Sequence, residues 1–133
     1  MPKKILVVDD TLSLLDLMRD LLGGEGYRVS TCLMAREAHP MARRVRPDLV
    51  ILDIVMPEVS GWEVLERIRD DGTSLLIVEQ HIGHALQIAD DVVVLTKGRV
   101  SLAGPVHELG DVSDWLLPAA HGQVPAGDGR GSR

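Results

Sequence analysis

The aliphatic residues of this chain form short uninterrupted runs, separated by stretches in which apolar residues recur at helical spacing. A run without a polar residue at every second position is typical of a strand that is buried on both faces of a parallel sheet. Four such runs predict strands, at residues 5–8, 49–52, 75–78 and 92–95, and residues 27–31 are a further strand candidate. The runs at 5–8 and 49–52 end abruptly at acids, in Asp9-Asp10 and in Asp53.

Between these runs, the spacing of apolar residues predicts four amphipathic helices. The first begins after Thr11, a candidate cap, and stops at Gly23-Gly24. The others are expected at residues 35–45, 61–70 and 82–89. Pro40 lies within the second helix. Because an interior proline costs about 3 kcal/mol, this helix either begins late, near Pro40, or is bent. Strands that alternate with short helices predict an α/β fold with a parallel sheet and right-handed crossovers.

The pattern changes after the fifth strand. Lys97-Gly98-Arg99 is typical of a tight turn and leads into residues 100–102, which predicts an antiparallel hairpin at the sheet edge. Gly104-Pro105 is expected to open a last helix. Residues 118–133 contain four glycines and two prolines and have little to bury, so we expect a disordered tail after a single domain over residues 1–117.

Composition and charge exclude several classes of function. Fourteen Lys and Arg against twenty Asp and Glu give a net charge of −6, which argues against a general nucleic-acid binder. The single cysteine, Cys32, excludes an internal disulfide framework and a Cys-rich zinc site. No apolar run reaches membrane-spanning length, and the run after Lys4 is too short for a signal peptide, so a cytoplasmic protein without membrane contact is expected.

Three acids stand at the ends of predicted strands: Asp9, Asp10 and Asp53. In a doubly wound sheet, function gathers at the carboxyl ends of the strands, and the three carboxylates converge if the first and third strands are neighbours. A cation relieves their mutual repulsion, and hard oxygen ligands favour Mg²⁺. The alternative is that these acids merely end strands and cap helices; three acids at matched ends favour the cation site.

Two motifs carry a family resemblance. Residues 5–10 and 48–57, the latter followed by Gly61, resemble a response-regulator receiver domain in the acid pair and in the pattern Asp-x-x-Met-Pro-x-x-x-Gly. The resemblance covers about residues 1–73. With the later strands it leads us to expect a flavodoxin-like, doubly wound parallel sheet in the order 2-1-3-4-5, with an extra antiparallel edge strand near 100–102.

The resemblance also implies a function. We expect a phospho-accepting signalling domain of a two-component phosphorelay rather than an enzyme, with a histidine kinase or phosphotransfer protein as its partner. Asp53 would accept the phosphoryl group. By the same resemblance, Mg²⁺ would be held by Asp9, Asp10, Asp53 and the backbone carbonyl of Val55.

The second half departs from the receiver pattern in two places. A receiver's fourth strand ends in Thr or Ser, whose hydroxyl contacts the phosphoryl group, whereas here Glu79 follows. An ionised Glu adds a fourth negative charge and cannot donate a hydrogen bond. A receiver's fifth strand ends in Lys-Pro, whereas here Lys97 is followed by Gly98. Lys97 is a candidate phosphate contact, with a plain turn lysine as the alternative.

Residues 74–109 have a resemblance of their own. The segments 76–80, 85–91, 94–100 and 103–105 resemble the C-terminal part of an ATP-binding cassette subunit of the branched-chain amino-acid transporter type. The chain has no Gly-x-x-x-x-Gly-Lys-Ser/Thr loop to hold ATP phosphates, which excludes an ATPase. The alternatives to a functional receiver are therefore an engineered or recombined chimera, joined near residues 72–74, that folds without switching, and a partner-binding module with a vestigial acid pocket.

Overall fold

The structure, a computed structural model, describes residues 1–79 and 82–110. The described residues divide into two compact units, one that ends at Glu79 and one that includes residues 82–110. The helices are α1 (Leu12–Gly24), α2 (Ala35–Val45), α3 (Gly61–Asp70) and α4 (Ile82–Ile88). The strands are β1 (Lys4–Val8), β2 (Arg28–Cys32), β3 (Leu49–Asp53), β4 (Ser74–Val78), β5 (Asp91–Thr96) and β6 (Arg99–Pro105).

The first unit is built on a four-stranded parallel sheet in the order β2-β1-β3-β4. Its central strand β1 is the most buried, since Ile5, Leu6, Val7 and Val8 are each 5% exposed or less. Successive strand residues face opposite sides. Ile5 and Val7 pack against Leu15 of α1. The doubly wound architecture and the order 2-1-3-4 are therefore confirmed.

The opposite face of this sheet is covered by α2 and α3, which contribute the buried side chains of Ala38, Ala42 and Ile68. Pro40 lies within α2, yet the helix already begins at Ala35, so the late start near Pro40 is excluded. The helix ends at Val45, and its C-cap residue Arg46 adopts a left-handed conformation with φ 53°.

The second unit contains an antiparallel pair, β5 and β6, which confirms the predicted strand near 100–102. Lys97 and Gly98 form its two-residue turn, with φ of 51° and 75°. Positive φ at both positions matches the twist of a hairpin.

Two details of the prediction for this region are corrected. The fifth strand does not extend the parallel sheet: β5 and β6 form a separate two-stranded sheet. The tight turn places β6 beside β5, so local pairing satisfies one edge of β5 without any long-range partner. Gly104 and Pro105 do not open a helix but end β6, because a residue before proline prefers an extended backbone. A single 3₁₀ turn follows, Val106–Glu108.

The predicted domain end at residue 117 and the predicted tail at 118–133 lie outside the described residues and stay predictions. The boundary between the compact units falls after Glu79, whereas the predicted receiver-type and cassette-type halves meet at residues 73 and 74. Strand β4, on the far side of that predicted junction, pairs in parallel with β3 along its whole length. In the described part of the chain, no helix combines the length and apolar character needed to cross a bilayer.

Candidate functional site

The structure brings three of the predicted site residues together. Val8 pairs with Leu52 across the central strands, so Asp9 and Asp53 follow or end neighbouring strands at the same edge of the sheet. One carboxylate oxygen from each of Asp9, Asp10 and Asp53 lies within 4.8 Å of the other two. We call these three residues the acid cluster.

Asp9 is the most constrained member of the acid cluster. It is only 8% exposed, and its Oδ1 accepts a hydrogen bond of 2.8 Å from the backbone N–H of Thr11. Its own backbone N–H donates to the carbonyl of Cys32, at 3.1 Å. The first bond ties the residue before α1 to the Asp9 carboxylate, and the second ties the backbone of Asp9 to the end of β2. Thr11 is the N-cap residue of α1 as predicted, but its side chain makes no capping hydrogen bond.

Asp53 is half-buried, and its environment opposes ionisation. Partial burial raises the pKa of the Asp53 carboxyl above its ordinary value, and the negative charges of Asp9, Asp10 and Glu79 raise it further. The backbone N–H of Val55 donates to Asp53 Oδ1 at 3.1 Å, which lowers this pKa. Desolvation is the largest of these effects, so the pKa of Asp53 is raised overall.

The acid cluster has no basic partner within the described residues, where no Lys, Arg or His forms an ion pair with any of its three carboxylates. Asp10 is exposed, whereas Asp9 is buried and Asp53 is intermediate. Three carboxylates in this arrangement repel one another and offer several hard oxygen ligands, which fits a divalent cation such as Mg²⁺.

The loop after Asp53 contains features that sequence reasoning missed. A Cβ atom on Gly61 would lie 2.5 Å from the backbone Cα and carbonyl oxygen of Ile54, so α3 begins in direct contact with the loop. The Ser60 hydroxyl caps that helix by accepting from the N–H of Trp62, at 3.3 Å. Glu58 adopts a φ of 73°, which is uncommon for a residue other than glycine. The Ser before the helix was the available signal for the cap.

A small cleft opens beside Asp10. Its volume is about 100 Å³, and its walls are mostly apolar. They come from the segments that follow β2 and β3: Leu33, Met34, Ala35, Met56, Pro57 and Glu58. Apolar side chains from these two segments therefore line the cleft beside Asp10.

The other residues predicted to contribute to the site or to alter it are Glu79, Val55 and Lys97. Val78 pairs with Asp53, and Glu79 follows it as a half-buried residue at the same edge of the sheet. Val55 is 73% exposed and directly follows the Asp53 strand. Lys97 belongs to the second unit, in the turn between β5 and β6.

Comparison with known proteins assigns the family. The model of the response regulator receiver domain matches residues 5–94. The chain therefore belongs to the response regulator receiver domain family, and it is the receiver domain of a two-component response regulator.

Curated relatives agree with this assignment. The chain is 42% identical over 71 residues to the polar-differentiation response regulator DivK of Brucella anthropi, covering 53% of this chain and 58% of that protein. It is 34% identical over 97 residues to the probable transcriptional regulatory protein TcrX of Mycobacterium tuberculosis, covering 73% of this chain and 41% of that protein. The chain thus matches less than two thirds of the length of either relative.

Solved structures show the same fold. The chemotaxis response regulator CheY4 of Vibrio cholerae superposes with a TM-score of 0.55 and 32% identity, over 58% of this chain and 68% of that chain. A chain from the crystal structure of histidine kinase ThkA in complex with response regulator TrrA superposes with a TM-score of 0.53 and 39% identity, over 56% of this chain and 66% of that chain.

These comparisons bear on the two competing interpretations of the second half. The family match continues through residue 94, about twenty residues beyond the predicted receiver-type half. They give no support to the cassette resemblance or to a chimera, and the receiver interpretation is favoured over a chain that folds without switching.

Proposed function

We propose that this chain accepts a phosphoryl group on Asp53 in a Mg²⁺-dependent reaction. The observation that carries the proposal is the acid cluster, whose oxygens lie within 4.8 Å of one another at the carboxyl edge of a parallel sheet. Receiver domains are signalling domains, and the role proposed for this chain is accepting a phosphoryl group rather than turning over a separate substrate.

Asp9, Asp10, Asp53 and the carbonyl of Val55 are the proposed ligands of Mg²⁺. When bound, Mg²⁺ would neutralise charge on the carboxylates and on the incoming phosphoryl oxygens. Asp9 is held in place by its bond from Thr11, and Asp53 by its bond from Val55, so neither carboxylate needs to be ordered during the reaction. Positioning and charge neutralisation dominate phosphoryl transfer.

The proposed step is a displacement at phosphorus. A carboxylate oxygen of Asp53 attacks the phosphorus of the donor, an O–P bond forms, and the bond from phosphorus to the leaving group breaks. With a phosphohistidine donor the broken bond is P–N, and the imidazole leaves with the electron pair. Lys97, the first residue of the turn after β5, is proposed as a phosphate contact because its positive charge would favour the phosphorylated product.

A histidine kinase or phosphotransfer protein is the proposed partner. The resemblance to a chain from a kinase–regulator complex supports it. Exposed apolar side chains close to the acid cluster also suit a protein donor, since Leu33 is 45% exposed and Val55 is 73% exposed.

The experiment uses small donors with different leaving groups. The full chain is incubated with acetyl phosphate or with phosphoramidate, whose P–N bond resembles that of phosphohistidine, and the intact mass is measured. We expect one phosphoryl adduct with Mg²⁺, none after chelation, and none in Asp53→Asn. Asp16→Asn, which changes an acid on the surface of α1, is the matched control and should still form the adduct. An adduct that survives in Asp53→Asn would refute the assignment of Asp53.

Metal binding is tested separately by calorimetry. Mg²⁺ should raise the melting temperature of the chain, because a ligand that binds only the folded state at ten times its Kd stabilises it by about 1.4 kcal/mol. A monovalent salt at the same ionic strength should not reproduce the shift. Equal shifts from both salts would mean general screening rather than a metal site.

A further inference from the structure

We propose that Glu79 sets the charge selectivity of this site, strengthening divalent cation binding and opposing phosphoryl transfer to Asp53. The inference rests on the proposed function for its phosphorylation half, but its cation half stands without it. Glu79 is therefore a specificity-determining residue, and its carboxylate keeps Asp53 mainly in the cation-bound, unphosphorylated form.

The placement of Glu79 follows from strand register. Strands β3 and β4 are parallel and paired from Leu49–Ser74 through Asp53–Val78. Glu79 is the next residue after Val78, so it leaves the sheet at the carboxyl edge directly beside the strand that ends in Asp53. Its half-buried position keeps it in a region where charges are less screened than at the open surface.

The side chains of Asp9, Asp10, Asp53 and Glu79, which lie at this edge of the first unit, are all acids. The acid cluster contributes three carboxylates, Glu79 contributes a fourth, and no described basic residue pairs with the acid cluster. Each added negative charge attracts a divalent cation and repels an anion. One residue therefore changes the two affinities in opposite directions.

The repulsion by Glu79 acts more strongly on the phosphorylated product than on the unmodified Asp53 carboxylate. With acetyl phosphate, an Asp53 oxygen bonds to phosphorus, the bond from phosphorus to the acetate oxygen breaks, and acetate leaves with the electron pair. The site begins with a singly charged carboxylate and ends with an acyl phosphate that carries about two negative charges. The repulsion by Glu79 consequently rises as the reaction proceeds.

The test compares the full chain with Glu79→Gln, which removes the charge but keeps an amide able to hydrogen-bond. Glu25→Gln is the matched control, because Glu25 is the exposed C-cap residue of α1, close to the opposite, amino edge of the sheet. Mg²⁺ affinity is measured by titration calorimetry. The phosphorylated fraction is measured by intact mass with acetyl phosphate at saturating Mg²⁺, so that the two effects are separated.

In Glu79→Gln we expect the Kd for Mg²⁺ to rise about threefold to tenfold, and the phosphorylated fraction to rise by a similar factor. Glu25→Gln should match the unmodified chain in both measurements. Both effects should shrink as ionic strength increases, because they arise from charge, whereas a purely structural role for Glu79 would not respond to salt.

An unchanged Mg²⁺ affinity in Glu79→Gln, or a phosphorylated fraction no higher than in the unmodified chain, overturns the proposal. If no variant forms an adduct at saturating Mg²⁺, the proposed function fails instead. The Mg²⁺ affinities then still decide the role of Glu79, since a weaker site in Glu79→Gln supports it and an equal one refutes it.

Discussion

The two units of this chain bury similar strands to very different extents. In β1 of the first unit, all four residues of the run Ile-Leu-Val-Val are at most 5% exposed. In β5 of the second unit, Val94 is 5% exposed, but its neighbours Val93 and Leu95 are 61% and 65% exposed. A central parallel strand has helices on both faces, whereas an antiparallel hairpin can leave one face in water.

This difference shows that an aliphatic run predicts a strand but not the depth of its burial. It also bears on the proposed phosphoryl transfer. The acid cluster lies at the ends of the two most buried strands, whose backbones hold Asp9 and Asp53 in place. Lys97 lies in a hairpin turn with exposed neighbours. The four predictions below test this contrast between the units.

The largest effect is expected from removing core side chains. Leu6→Ala should lower the free energy of unfolding by about 2–5 kcal/mol, because Leu6 is fully buried in β1 and the change leaves a cavity. Leu95→Ala in β5 should change it by about 0.5 kcal/mol or less, because Leu95 is mostly exposed. Urea denaturation measures both. Equal losses of unfolding free energy in the two variants would contradict the difference in burial between β1 and β5.

The second prediction concerns glycines at the start of helices. Gly61→Ala in α3 should destabilise the chain by about 1–3 kcal/mol, because its Cβ would meet the Ile54 backbone at 2.5 Å. Gly83→Ala in α4 of the second unit is the control. A Cβ there meets nothing within 4 Å, and alanine favours a helix by about 0.5–1 kcal/mol. A stable Gly61→Ala variant would show that the loop after Asp53 can move away.

The third prediction concerns repulsion in the acid cluster. Without metal, Asp53→Asn should raise the melting temperature at neutral pH, because the raised pKa of Asp53 means that its ionised form destabilises the fold. The folded state then binds protons more tightly than the unfolded state, so stability falls as pH rises from the ordinary Asp pKa of about 3.9 through the raised value.

The gain from Asp53→Asn should accordingly be full above the raised pKa and disappear below pH of about 4, where the carboxyl is protonated in both states. Asp91→Asn, at the exposed start of β5, makes the same change in charge in the second unit and is the control. Thermal melts across this pH range are the measurement. A loss of stability in metal-free Asp53→Asn would mean that the carboxylates are not crowded.

The smallest effect is expected from the second unit. Lys97→Gln should lower the fraction phosphorylated by acetyl phosphate modestly, because one positive charge that favours the product is removed. Arg99→Gln, on the other side of the same turn, is the matched control. If the two variants give the same fraction by intact mass, Lys97 is an ordinary turn residue and the chemistry belongs to the first unit alone.

The local features of the chain were predictable from its sequence. Aliphatic runs, helical spacing and the turn at Lys97-Gly98 depend on residues close together, so the strands, the hairpin and helices α1 to α4 were predicted within a few residues. The last helix, expected to open at Gly104-Pro105, was wrong. The acid cluster was also predictable, because carboxyl ends of neighbouring parallel strands meet at one edge of a sheet and Asp9 and Asp53 stand at such ends. The helix through Pro40 was not decided, since a proline's local cost competes with packing that the sequence does not display.

Long-range relations were decided only by the tertiary structure. The antiparallel pairing of β5 with β6 was predicted from the turn between them, but the pattern Val-Val-Val-Leu did not reveal that these two strands form a sheet of their own. Whether β5 joins the parallel sheet depends on partners distant in the chain. The motif that contains Gly61 also did not reveal why glycine is needed there. A Cβ atom at this position would lie only 2.5 Å from the backbone of Ile54. The sequence determines the local pattern of apolar, polar and turn residues, whereas close contacts between distant segments depend on how the folded chain packs in three dimensions.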